Sequence, residues 1–358
     1  MSNLNPPIVS VVMAVKNGGA LLAGSVDSIL AQTFDNFELI IINDGSTDDT
    51  LETLAKFDDP RIVVVSQENQ GLARSLNRGI TLSRGKYIAR QDHDDLSMPT
   101  RFEKQLAYME SHPGCGLLGT ASEIWTLEGP TGRFHNHPCD SGVLAFDLLF
   151  NNPFVHTSWM LRKSVVDTVG LYTTDRNREP PEDFEYVSRI VRHFDVANLP
   201  DRLVVYREMQ NSLSSTIRPK NLVLNNPFSQ RLALVSAENI AFTAGYSQVN
   251  GDAQNFGALT HSYPRGFLPE YSYEGVKALL MEATKVIAAR YPQSPIAEQL
   301  PDRLSMLYYQ YAHQTFLSAD GSGPLLKWCH WMFYRTRVAL HVRFQRLRKW
   351  LGVGQNRG

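Results

Sequence analysis

Residues 8–19 read IVSVVMAVKNGG, and the fold follows from how that pattern recurs along the chain. Ile8 to Val15 is a near-continuous β-branched and apolar run, as in a strand buried on both faces, and Asn17-Gly18-Gly19 breaks it. A helix is expected next, with Leu22, Val26, Ile29 and Leu30 on one face. The unit then repeats. Phe37 to Ile42 predicts a second strand, ended by Asn43-Asp44-Gly45. Ser46 or Thr47 would cap a helix running to Lys56, with Asp48 and Asp49 favourable in its first turn. Ile62 to Ser66 predicts a third strand and Gly71 to Ser83 a third helix. Tyr87 to Arg90 predicts a fourth strand, running into Gln91-Asp92-His93-Asp94-Asp95. Strand and helix in alternation imply βαβ units on a mostly parallel sheet, an α/β fold.

In open sheets of this kind ligands bind beyond the carboxyl ends of the strands. Three polar clusters fall at those ends: Lys16-Asn17, Asn43-Asp44 and Asp92 to Asp95. Asn, Asp and Gly also make ordinary turns, so one cluster would say little. Three on one rim point to a site. Carboxylates as close as those of Asp92, Asp94 and Asp95 repel unless a cation sits among them, and hard oxygen ligands suit Mg²⁺ or Mn²⁺. The same run could instead be an acidic helix N-terminus. His93 alternates away from its acidic neighbours and reads as a spacer. Asp44 could accept a hydrogen bond from a base or a ribose, or could make an Asx turn. Asp183, after Glu179-Pro180-Pro181-Glu182, could be a general base or a helix cap.

The middle of the chain is mixed. A helix is expected from Arg101 to about Glu110, short strands over Gly116–Thr120 and Val155–Leu161, and a helix over Asp183–Arg192. Val196 to Arg207 reads as a strand interrupted by Pro200-Asp201, and Thr126 to Asp140 as a loop. After Leu222 the pattern is helical, clearest over Gln230–Phe242 and Tyr273–Ala289.

Composition narrows the class. The 358 residues are 43% hydrophobic and 20% charged, as in a globular chain able to bury a core without disulfides. Three cysteines without C-x-x-C spacing argue against a disulfide framework or a cysteine-built zinc site. The net charge of −1 hides an asymmetry. After Asp320 there is no acidic residue, while Lys327, Arg335, Arg337, Arg343, Arg346, Arg348, Lys349 and Arg357 give that segment +8, leaving −9 for the rest. Trp328 to Leu351 reads as a helix with Phe333, Leu340, Phe344, Leu347 and Leu351 in one stripe and basic residues opposite. That is the composition of a helix lying on an anionic membrane surface. A helix packed on the protein body with a solvated basic face is the other reading. Neither a signal peptide nor a transmembrane helix is expected, so the sequence reads as cytoplasmic and peripheral on the inner face of the membrane. Nucleic acid is not an expected partner: no recognisable module is present and the acidic body would oppose binding.

The stretches VSVVMAVKNGG, SILAQTFDNFELIIINDGSTDDT and NQGLARSLNRGITLSRGKYIARQDHDD resemble the nucleotide-binding half of inverting family 2 glycosyltransferases with the GT-A fold. The resemblance continues through NPFVHTSWMLRKSVVDTVGLY, PPEDFEYVSRI and VVYREMQNSLSS, covering roughly residues 6 to 216 in order. It implies a GT-A domain over 1–216, with a nucleotide-binding half at 1–100 and a catalytic and acceptor half at 101–216. A helical extension over 217–322 and the basic tail over 323–358 would follow. The donor would be a UDP- or dTDP-linked sugar and the acceptor a glycan or lipid-linked hydroxyl. Ala14, Lys16, Asp44, Arg74, Asp92 and Asp94 match donor-binding positions, Asp94 and Asp92 the metal-binding D-x-D pair, and Asp183 the catalytic base. Tyr206, Arg207, Ser212 and Ser214 match the segment that closes over the diphosphate. Two positions depart from the usual pattern: Lys16 stands where relatives often have an aromatic residue, and Met209 where many have a histidine. Thioether sulfur is a poor ligand for Mg²⁺ or Mn²⁺. Two rival readings are an NAD-dependent oxidoreductase and an inactive nucleotide-sugar-binding scaffold. The first strand is followed by no G-x-G-x-x-G, which speaks against the oxidoreductase.

Overall fold

The structure is a computed structural model that describes residues 6–209, 227–261 and 272–318. The alternation read from the sequence is present. β1 (Val9–Val15), α1 (Leu22–Leu30), β2 (Phe37–Asp44), α2 (Thr50–Leu54), β3 (Ile62–Gln67), α3 (Leu72–Leu82) and β4 (Tyr87–Asp92) follow in order. β3, β2, β1 and β4 lie side by side and parallel. β1 and β2 are buried along their whole length, because α1 and α3 cover opposite faces of the sheet. The face of α1 bearing Leu22, Val26 and Ile29 is the one that packs inward.

The second half adds β5 (Leu96–Ser97), α4 (Arg101–Ser111), β6 (Cys115–Thr126), β7 (Gly129–His135), α5 (Ser141–Asp147), β8 (Met160–Arg162), α6 (Lys163–Val169), α7 (Glu182–Ile190) and β9 (Asp195–Arg207). These strands extend the same sheet in the order β4-β8-β6-β9-β5, with β7 paired to β6. β8 runs antiparallel to both β4 and β6, and β9 is parallel to β6, so the carboxyl ends of β1, β2, β4 and β9 share one rim. Buried Arg101 locks the crossing. Its guanidinium donates to Gln91 Oε1 (3.0 Å), Ser97 Oγ (2.8 Å) and the carbonyls of Arg90 (2.9 Å) and Trp159 (3.2 Å).

Four helices complete the described chain: α8 (Pro227–Thr243), α9 (Gly251–Thr260), α10 (Tyr273–Arg290) and α11 (Leu300–Ser318). They share a separate core with α5 through Phe146, Phe150, Phe256 and Leu280. Asp140, Asn250 and Ser272 cap α5, α9 and α10. Among the described residues no helix is long and apolar enough to cross a membrane. The tail helix read over Trp328–Leu351 lies outside the described residues, as do Ser212 and Ser214.

Several expectations need correction. The second helix is shorter than read, Thr50–Leu54. The N–H groups of Ser46 and Thr47 are taken by Asn43 Oδ1 (3.1 Å) and Asn17 Oδ1 (2.8 Å), which delays the helix until Asp48 receives Thr50 N (3.2 Å). Val155–Leu161 is not one strand. His156–Ser158 forms a helical turn closed by Ser158 N on Val155 O (2.9 Å), and only Met160–Arg162 pairs in the sheet. The strand at Gly116–Thr120 runs on to Thr126, and part of the loop expected over Thr126–Asp140 is β7. Pro200-Asp201 falls within a register shift between β6 and β9, so β9 continues past it.

Candidate active site

The three polar clusters converge. Ala14 is in register with both Ile42 and Asp92, which aligns the ends of β1, β2 and β4. Asn17, in the left-handed region at φ 55°, ties the first loop to the second: its N–H donates to Ser46 Oγ (2.9 Å) and its Oδ1 accepts from Thr47 N. Lys16 is exposed at this rim, and Ala14 is buried beneath it.

Asp44 is 4% exposed. Oδ1 accepts from Gln67 Nε2 (2.7 Å) and Gln70 N (2.8 Å), and Oδ2 from Gly71 N (2.9 Å). Gly71 has φ 93°, a conformation that costs glycine nothing and lets the turn close on the carboxylate. Burial alone would raise the Asp44 pKa, but these hydrogen bonds outweigh it and hold it below the usual range. The Asx turn at the end of β2 is made by Asn43, not Asp44. Asp44 instead fastens β2 to the β3–α3 loop, with acceptor capacity left on Oδ2. Arg74, on the next helix, donates to Thr174 O (3.4 Å).

Asp92, Asp94 and Asp95 bring one carboxylate oxygen each to within 4.8 Å of one another. The turn that carries them is tied from four sides. Asp92 N donates to Thr157 Oγ1 (3.0 Å), Asp92 O accepts from Ser25 Oγ (2.8 Å), Gln91 Nε2 donates to Asp95 O (2.9 Å) and Arg207 N to Asp95 Oδ1 (2.7 Å). Arg207 Nη1 also donates to Asp94 O (2.8 Å), so the end of β9, which bears Tyr206 and Arg207, is joined to the acidic turn. Burial and then the Asp92 carboxylate push the Asp94 pKa up; burial, Asp92 and Asp94 push that of Asp95 well up. Two unit charges 4.8 Å apart repel by about 3 kcal/mol at an effective dielectric near 20. Asp95 is 1% exposed and its Oδ2 has no hydrogen-bond partner. An orphaned, buried carboxylate oxygen within a hard-oxygen cluster fits a divalent cation. Asp95 carried no separate role in the sequence reading; its burial comes from the contact with β9, more than a hundred residues away. His93 is outside the converging group.

Arg90, 5% exposed, forms an ion pair with Asp92 from below, and its Nε has no partner. No local signal marked this residue, which sits inside a strand. Its field also reaches Asp94, Asp95, Glu182 and Asp183. His156 accepts or donates a hydrogen bond at Tyr172 Oη (2.8 Å), and burial with Arg90 nearby holds the imidazole neutral, well below its usual pKa.

Asp183 lies in the first turn of α7, where carboxylates are favoured by the helix dipole. Its Oδ1 accepts from Phe184 N (2.7 Å) and Oδ2 from Asn152 Nδ2 (2.9 Å). Asn152 is itself oriented by Phe154 N on its Oδ1 (3.1 Å). Burial raises the Asp183 pKa, and those hydrogen bonds with Arg90 offset part of the rise. Adjacent Glu182, 8% exposed, is pushed up to about 7 by burial and by Asp183. Arg90 thus pairs with Asp92 and, at longer range, lowers the pKa values of Glu182 and Asp183. Met209 is half-buried just past β9.

This architecture is that of the GT-A glycosyltransferases. S. aureus TarS 1–349 in complex with UDP-GlcNAc is similar over 85% of this chain and 90% of that one, at TM-score 0.55 and 14% identity. In sequence, the glycosyl transferase family 2 model matches residues 10–170. An uncharacterized glycosyltransferase of Haemophilus influenzae is 32% identical over 249 residues, 66% of this chain and 75% of its own length. The amylovoran biosynthesis glycosyltransferase AmsE of Erwinia amylovora is 32% identical over 186 residues, 51% of this chain and 68% of its own. The chain belongs to glycosyltransferase family 2.

Proposed function

We infer that the protein transfers a sugar from a UDP- or dTDP-linked donor to an acceptor hydroxyl with inversion, in the assembly of a polysaccharide or glycolipid. The observation that carries this reading is the acidic turn Asp92-Asp94-Asp95, with its buried, unpartnered Asp95 Oδ2, at the rim where β1, β2 and β4 end together. The donor side would be formed by Ala14, Lys16, Asp44, Arg74, Asp92 and Asp94, with Tyr206 and Arg207 at its edge. Asp94 and Asp95, with the remaining capacity of Asp92, would hold Mn²⁺ or Mg²⁺, and the ion would offset the charge gained by the leaving diphosphate. Asp183 accepts the proton of the acceptor hydroxyl as its oxygen bonds to the anomeric carbon and the bond to diphosphate breaks. Attack opposite the leaving group needs one base and no covalent carboxylate, by analogy with glycoside hydrolysis, so configuration inverts. Two relatives support the donor and the setting: TarS was solved with UDP-GlcNAc, and AmsE is named for amylovoran biosynthesis.

The division into a GT-A domain (1–216), a helical extension (217–322) and a basic tail (323–358) belongs to the same reading. The tail would hold the enzyme on the anionic inner face of the membrane, next to a lipid-linked or glycan acceptor. The experiment is Asp183→Asn, assayed for donor turnover and for UDP affinity. Turnover should fall by about 10² to 10⁴ while UDP affinity stays within about twofold. A loss of UDP affinity with turnover intact would remove Asp183 from the role of base.

A further inference from the structure

The helices after β9 are not a mere appendage to the catalytic cleft. The chain enters α7, and so reaches Asp183, through Arg178-Glu179-Pro180-Pro181. The carbonyls of Glu179 and Pro180 precede the helix, so no backbone N–H of its first turn reaches them; the first helical bond there is Glu185 N to Pro181 O (3.2 Å). They receive a side chain from α8 instead. Arg231 Nη1 donates to Glu179 O (2.8 Å) and Pro180 O (3.3 Å).

Two turns further along α8, Glu238 takes Arg178 in a two-pronged ion pair, Nη1–Oε1 2.9 Å and Nη2–Oε2 2.6 Å. Both side chains are half-buried or better, at 27% and 18% exposure, which limits screening by solvent. The next residue, Asn239, donates to Ser188 Oγ of α7 (2.7 Å) and to Leu148 O (2.8 Å). Residues 231, 235, 238 and 239 share one helical face, and Val235 completes it by packing into the core that holds Phe184 and Val187. One face of one helix therefore grips the approach to the base and the helix that carries it. Among the described residues, Asp44, Asp92, Asp94 and Asp95 on the donor side hydrogen-bond to other elements and not to this face.

We propose that α8 is a positioning element for Asp183, with Arg231 and Glu238 acting as positioning residues through the segment 178–181. This rests on the reading of Asp183 as base. A base displaced by about 1 Å loses on the order of 10² in rate, so the effect should fall on turnover rather than on donor binding. The consequence is that loss of the Arg231 and Glu238 contacts should reach the chemistry through residues 178–181 before it reaches the donor side.

The test uses the full-length protein as wild type, Arg231→Met, Arg231→Lys and Glu238→Gln. Hydrolysis of UDP-GlcNAc and UDP-glucose is followed with Mn²⁺, UDP binding by thermal stabilisation, and hydrogen–deuterium exchange over residues 173–184. Arg231→Met and Glu238→Gln should lower turnover about 10- to 100-fold, leave the donor KM within about twofold and speed exchange over 173–184. Arg231→Lys, which keeps a donor for the two carbonyls, should recover most of the turnover. If turnover and exchange match wild type in both disabling variants, the proposal is overturned. It is also overturned if UDP stabilisation disappears along with turnover, since the helix would then only maintain the fold. Absence of turnover by the wild type is a different failure: it strikes the proposed donor, and faster exchange over 173–184 in Arg231→Met and Glu238→Gln, restored in Arg231→Lys, then decides the positioning role.

Discussion

Glu182→Gln isolates the electrostatics of the base. The Glu182 carboxyl moves from an ordinary 4.5 to about 7, which at 1.36 kcal/mol per pH unit is about 3 kcal/mol. Burial is the largest cause and the neighbouring Asp183 charge the second; Arg90 pulls the other way. Glutamine keeps the shape and the burial but leaves no ionisable group beside Asp183. The pair titrates together, so the wild-type acid limb of kcat belongs to both groups. It should inflect between the ordinary carboxylate range and about 7. In Glu182→Gln the inflection should fall toward the ordinary carboxylate range, with plateau kcat within a fewfold. The assay is kcat for UDP-GlcNAc hydrolysis from pH 5 to 9 at saturating Mn²⁺. An unmoved inflection would refute the coupling. A plateau lowered by about 10² or more would make Glu182, not Asp183, the proton acceptor.

Other outcomes follow from the same charges. Asp94, Asp95 and Glu182 have raised pKa values, so the folded chain binds protons there more tightly than the unfolded chain. Their contribution to stability is present at low pH and is lost as pH rises from about 4 through their folded values. Asp95→Asn should therefore raise the Tm of the metal-free protein at pH 8 by several degrees and remove the gain on adding Mn²⁺; a lower Tm would contradict the repulsion argued for the cluster. A chain truncated after Ser322 should no longer sediment with anionic liposomes, whereas the full chain should do so in a salt-sensitive way. Equal sedimentation of both would end the anchoring role of the tail.

The parallel half of the fold was legible because β1, β2 and β4 carry their burial in local composition, and because α1 and α3 show one apolar face. The D-x-D pair and the Glu-Asp pair were legible as charge clusters at strand and helix ends. What stayed hidden was set by distant contacts. Asp95 is held by the end of β9, and the Asp183 partner Asn152 comes from 31 residues upstream. β7 lies in the stretch Thr126–Asp140, whose Gly, Pro and His residues suggest a loop, yet β6 supplies the partner edge. α2 was overread for the opposite reason: Asp48 and Asp49 look like a helix start, but Asn17 and Asn43 divert the N–H groups the helix would need.

The most direct test of the central claim is thermal stabilisation by UDP and by dTDP, each with and without Mn²⁺, on the wild type and on Asp94→Ala. A ligand at 100 times its Kd adds about 2.7 kcal/mol, well within reach of a melting scan. The account expects one of the two nucleotides to stabilise the wild type in a Mn²⁺-dependent way and the variant not at all. Stabilisation by neither nucleotide, or an equal effect on Asp94→Ala, would contradict it and favour a fold retained without a working donor site.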